Sequence, residues 1–125
     1  MRVFRHLADL SPDRFRTPVV TLGVFDGIHR GRRELLSRAR DLADTLGGEL
    51  VVLTFHVHPR KLTEGRAPPM LTSVEHRVVL LGRLGVDITV VLRFDDTLRT
   101  MSAQRFVDEI LVERIGVRGA VLGYH

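Results

Sequence analysis

Cysteine is absent from this 125-residue chain, which excludes a disulfide framework and thiolate metal sites. No segment approaches the ~18 consecutive apolar residues of a membrane span, and the opening MRVFRHLADL has no long apolar signal region. No membrane partner is therefore expected, and the expected compartment is the cytoplasm. Lysine is nearly absent as well: Lys61 is the one lysine among nineteen basic side chains, a skew that a coding bias toward arginine explains. Repeats, low-complexity tracts and linkers are lacking. Acid and base are close to balanced, with fifteen Asp+Glu against nineteen Lys+Arg and a net charge of +4. That mild excess suits a polyanionic ligand such as a nucleotide. The basic residues are not gathered into one run, so nucleic acid is not expected as a partner.

What is present is the make-up of a globular protein, 44% hydrophobic and 27% charged, long enough for one domain over residues 1–125 with one real core. Four apolar, β-branched runs, at 19–23, 50–55, 88–92 and 120–122, read as buried strands of a parallel sheet because they do not alternate with polar residues. Between them lie helical patterns. Leu35, Leu36, Ala39, Leu42, Ala43 and Leu46 share one face of a helix that stops at Gly47-Gly48, with Arg38 and Arg40 on its solvated face. Thr72 with Glu75 makes a capping box for a second helix, striped by Val74, Val78, Leu81 and Leu84. Ser102 is the expected N-cap of a third, carrying Phe106, Val107, Ile110, Leu111 and Ile115 and ending near Gly116. Asp95-Asp96 reads as a turn, with Mg²⁺ coordination as the lesser alternative. Strand and helix alternating in this way give an α/β fold, a Rossmann-like parallel sheet with helices on both faces. The long loop at 56–71, with three prolines and the basic side chains Arg60, Lys61 and Arg66, is of the kind that carries function.

The strongest chemical signal is GVFDGIHRGR at 23–32, joining the first buried strand to the first helix. Its glycines allow a sharp turn and close approach of backbone to a ligand. The helix that follows directs free N–H groups and the positive end of its dipole at the turn, where His29, Arg30 and Arg32 add cationic or hydrogen-bonding side chains. All of this favours phosphate. The pattern is neither a P-loop nor a GxGxxG turn.

GVFDGIHRGRRELL resembles the G-x-F-D-G-x-H-x-G-H-x-x-L-L signature of bacterial FAD synthetases, in the H-x-G-H nucleotidyltransferase superfamily. The likeness runs on through TFHVHP at 54–59 (family T-F-x-P-H-P), Leu71-Thr72 with Glu75, Gly85-Val86-Asp87, MSAQRFV at 101–107 and Val121-Leu122-Gly123. It implies transfer of the adenylyl group of ATP to the phosphate of FMN, giving FAD and pyrophosphate, with Mg²⁺ carried on the nucleotide. It also implies catalytic roles for His29 and Arg32 and an ATP pocket shaped by those two with Gly23, Val24, Phe25, Asp26 and Gly31. His58 and Pro59 would form a loop edge meeting flavin and phosphate. His56 departs from the motif, and with His58 it makes a poor metal pair, since no Cys or carboxylate stands nearby; no resident metal is expected.

Three positions depart from the pattern: Arg32 stands for the second histidine of H-x-G-H, Val57 for the first proline of P-H-P, and His125 for an Asp or Asn. The family's later phosphate-gripping motif and riboflavin kinase domain are not in the sequence. The expectation is an FMN adenylyltransferase of impaired or partial activity, self-associating or completed by a partner chain. The alternatives are a non-catalytic nucleotide- or flavin-binding protein acting with a partner, and a nucleotidyltransferase for another phosphorylated acceptor.

Overall fold

The computed structural model describes residues 1–23, 25, 30–56, 73–93 and 95–123, with only the backbone of Arg30. In chain order these form β1 (Arg2–Phe4), 3₁₀ turns at Leu7–Asp9 and Pro12–Arg14, β2 (Pro18–Leu22), α1 (Arg30–Leu46) and β3 (Glu49–Phe55). There follow α2 (Val74–Arg83), β4 (Ile88–Leu92), the short α3 (Asp96–Thr100), α4 and β5 (Gly119–Ala120). Helix α4 opens at Ala103–Arg105 and continues as a π-helix over Phe106–Ile115. The five strands are parallel, in the order β1-β4-β3-β2-β5.

The sheet is buried on both faces, which is why its central strands are apolar without alternation. Val19, Leu50 and Val52 point to one side, where Leu35, Leu36, Ala39 and Ala43 of α1 and Leu81 of α2 cover them. Val20, Val51, Leu53, Ile88, Val90 and Leu92 point to the other, under Leu98 of α3 and Ile110, Leu111 and Ile115 of α4. Each such side chain contributes ~1.5–3 kcal/mol on burial, so the two layers carry the fold. The expected Rossmann-like architecture is present.

Local chemistry sets the helix ends. Gly47 takes a left-handed φ of +69° after α1, and Gly116 one of +73° after α4. Ser102 Oγ accepts the Arg105 N–H at 3.1 Å, as its N-cap role requires. The cap of α2 falls one residue later than expected, since Ser73 Oγ accepts the His76 N–H; Thr72 lies outside the described residues. Asp95 caps a short helix rather than closing a turn, accepting the Leu98 N–H at 3.0 Å.

Four further expectations are corrected. A fifth strand, β1, joins the edge beyond β4. The last strand is Gly119–Ala120, although the Val121 N–H still bonds to Val20 O, extending the ladder toward the expected run. Val107 is exposed, because π-helical turns bring Ile110, Leu111 and Ile115 onto the sheet instead; Leu46 and Leu84, at helix ends, are also exposed. Arg40 is not merely solvated: its guanidinium bonds to Asp87, Asp44 and Gly85 O.

Candidate nucleotide site at the strand crossover

From β2 the chain steps outward to β3 and β4, then returns to place β5 on the other flank of β2. The order of strands therefore reverses between β2 and β5, and in such sheets the crevice beyond those carboxyl ends is where ligands sit. Gly23 leaves the end of β2, its N–H still bonded to Leu53 O at 3.0 Å, and Gly123 lies three residues beyond the end of β5.

Between these two glycines lies the guanidinium of Arg32. A Cβ built on Gly23 would stand 3.1 Å from Arg32 Nη1, and one on Gly123 would stand 3.7 Å from the same atom. The guanidinium carbon is 5.4 Å from the centre of the Phe25 ring, within cation–π range. Phe25 is 1% exposed and belongs to the core on the α1 side of the sheet, while its backbone holds φ +57°, unusual for an aromatic residue. Gly31 sits in the first turn of α1.

The first turn of α1 holds no acidic residue and carries arginine at 30, 32 and 33. Helix dipoles favour the opposite arrangement, with anions at the amino end. Of the expected site residues, Gly23, Phe25, Gly31 and Arg32 meet here. Val24, Asp26, His29, His58 and Pro59 lie outside the described residues.

One functional candidate was missed from the sequence. Arg77 of α2 is 1% exposed, and its Nη1 donates to Thr54 Oγ1 at 3.0 Å and to Phe55 O at 3.1 Å. It thus holds the last residues of β3, from which the 57–72 segment departs. The signal was available, since Arg77 falls on the same helical stripe as Val74 and Leu81. A second concavity of ≈ 200 Å³ opens beside the carboxyl ends of β1 and β4, lined by Arg5, His6, Leu92, Arg93 and Leu98 among others.

No described group of three or more His, Cys, Asp or Glu side chains could hold a metal. Asp95 is spent on its cap and Asp96 on an ion pair with Arg99. Among the described residues, the charged group at the crevice is the Arg32 guanidinium.

The family model for FAD synthetase matches residues 11–125. This chain belongs to the FAD synthetase family. It is similar to bifunctional riboflavin kinase/FMN adenylyltransferases: 37% identical to that of Pseudomonas fluorescens over 98% of this chain and 39% of the relative. Against the Escherichia coli K12 protein the identity is 31%, over 98% and 40%. With that of Bacillus subtilis it is 30%, over 85% and 34%. The chain thus spans about two-fifths or less of the curated FAD synthetase relatives it matches. Among solved structures, a macrolide-efflux protein from Streptococcus pneumoniae superposes with a TM-score of 0.82 at 25% identity, over 99% of this chain and 41% of that one. The likeness bears on the fold. Among the described residues, no helix here is long and apolar enough to cross a membrane.

Proposed function

We propose that this chain is an FMN adenylyltransferase domain, acting on MgATP and FMN to give FAD and pyrophosphate. The observation that carries the reading is the arginine-bearing first turn of α1, opening at the β2/β5 crossover with the Arg32 guanidinium between Gly23 and Gly123. There the triphosphate would meet the helix's free N–H groups, Arg32 and His29, while Gly23, Val24, Phe25, Asp26 and Gly31 shape the pocket. A phosphate oxygen of FMN attacks the α-phosphorus of ATP in line; the bond to the bridging oxygen breaks, and pyrophosphate leaves with its electrons. Mg²⁺, arriving on the nucleotide, offsets charge on the phosphate oxygens. No protein nucleophile is needed, so the residues serve by positioning and charge stabilisation. His58 and Pro59 would border the acceptor, on the segment that leaves the β3 end held by Arg77.

Incubation with ATP, Mg²⁺ and FMN, with FAD followed by chromatography, tests this. His29→Ala is expected to lower the rate ~100-fold or more, and Arg32→His to raise it if arginine displaces the charge centre by ~1 Å from its best position. Absence of FAD formation and of ATP binding by calorimetry would sink the reading. A second reading is favoured by Arg32 itself, since it replaces the family's histidine: a nucleotide- or flavin-binding protein without turnover, completed by a partner or a second copy along the β5 edge. ATP binding without FAD formation, with self-association in sedimentation, would select it. Turnover with an acceptor other than FMN would select a different transferase. The cytoplasm is the proposed compartment.

A further inference from the structure

We infer that Phe25 is a positioning residue for Arg32, holding the guanidinium beside the crossover crevice so that an incoming phosphate meets a fixed cation. The inference rests on the crevice being the nucleotide site. An arginine near the start of a helix samples many rotamers, and an anion would ordinarily have to select one of them on binding. Here the guanidinium carbon lies over the ring, 5.4 Å from its centre, a contact that restrains it before any ligand arrives. Gly23 makes that stacking sterically feasible. A Cβ at that position would press on Arg32 Nη1 at 3.1 Å, Arg32 Cζ at 3.3 Å and Phe25 Cε2 at 3.3 Å, so it would touch both partners at once. The Phe25 backbone, at φ +57°, occupies a region that bulky residues avoid. Such an outlier persists only where the surroundings demand it, and it is commonest at ligand sites. Packing against the α1 core fixes the ring, and the ring in turn fixes Arg32. Gly23 and Phe25 belong to the family signature; in this chain they meet an arginine where the signature has histidine.

The test combines arginine side-chain NMR with ATP titrations of the intact chain and of Phe25→Leu, Gly23→Ala, Arg32→Met and the doubles Phe25→Leu/Arg32→Met and Gly23→Ala/Arg32→Met. The Arg32 Nε–Hε proton is expected upfield, shifted by the ring current, and to return toward ordinary values in Phe25→Leu. Phe25→Leu should weaken ATP binding roughly three- to thirty-fold, but by no more than about two-fold once Arg32 is methionine. Gly23→Ala keeps the ring and displaces the guanidinium, so it should give the same pattern even if Phe25→Leu folds poorly. An unshifted Arg32 signal, or equal losses with and without Arg32, overturns the inference while leaving the site reading intact. A wild-type chain with the shifted signal that binds neither ATP nor pyrophosphate overturns the site reading instead.

Discussion

Arg40 Nη1 of α1 stands 2.8 Å from Asp87 Oδ2, and that same carboxylate oxygen accepts the Leu50 N–H at 2.8 Å. One acidic group therefore ties helix α1 to the starts of β3 and β4, at the end of the sheet opposite the crossover crevice. Gly85-Val86-Asp87, one of the motifs shared with the family, ends on this residue, which explains its place in the pattern by structure rather than by chemistry.

Burial pushes the Asp87 carboxyl up, but the Leu50 N–H and the Arg40 guanidinium outweigh it and hold the group below its ordinary value of 3.8. A lowered folded-state pKa means the contribution is complete at neutral pH and lost as pH falls below about 4. Arg40, raised chiefly by its bond to Asp87, stays charged throughout. Asp87→Asn is expected to cost about 1 kcal/mol at pH 7, since the group is partly exposed and screened. Urea titrations at pH 7 and pH 3 should show a smaller difference between wild type and variant at the lower pH.

Arg77→Met should destabilise by about 2 kcal/mol, because a buried charged donor to Thr54 Oγ1 and Phe55 O is removed. Arg77→Lys should recover part of the loss. Guanidinium unfolding measures both, and hydrogen exchange at the His56 N–H, bonded to Leu92 O, should quicken in the methionine variant.

Adjacent glycines after α1 should respond differently to alanine. Gly47 faces open space and bears only the strain of φ +69°, so Gly47→Ala should cost roughly 1 kcal/mol. Gly48 has no room, since a Cβ there runs into the backbone carbonyl of Thr17; Gly48→Ala should cost about 3 kcal/mol. Thermal melts of the pair separate conformational strain from collision.

Asp95→Ala should lose about 1 kcal/mol with its cap, whereas Asp95→Asn, which can still accept the Leu98 N–H, should lose little. If Asp95 serves only as a cap, Asp95→Asn also leaves the Mg²⁺ dependence of FAD formation unchanged. A shifted Mg²⁺ requirement would return this carboxylate to the metal.

The parts of this fold legible in sequence are those specified by near neighbours. Ser102 and Gly116 announced the ends of α4 because capping is chemistry within one turn, and β3 and β4 were marked by unbroken apolar runs. β1 was not, since Arg-Val-Phe is too short to show a pattern and owes its conformation to Ile88, Thr89 and Val90. The partners of Arg40 and Arg77 were hidden for the same reason: Asp87, and Thr54 with Phe55, are distant from them in sequence, although the stripe position of Arg77 showed that it would be buried. At the crevice, the turn motif pointed to Gly23, Phe25 and Arg32, but the cation–π stacking depends on a three-dimensional juxtaposition that spacing alone does not encode.

The pairing of β1 with β4 has a consequence for biogenesis. Arg2–Phe4 is made before β2, α1, β3 and α2, yet its hydrogen-bonding partner emerges only after them. β1 must stay without that partner until β4 has been made and then dock onto an edge assembled later, so its pairing is tied to the arrival of β4 rather than to the order of translation.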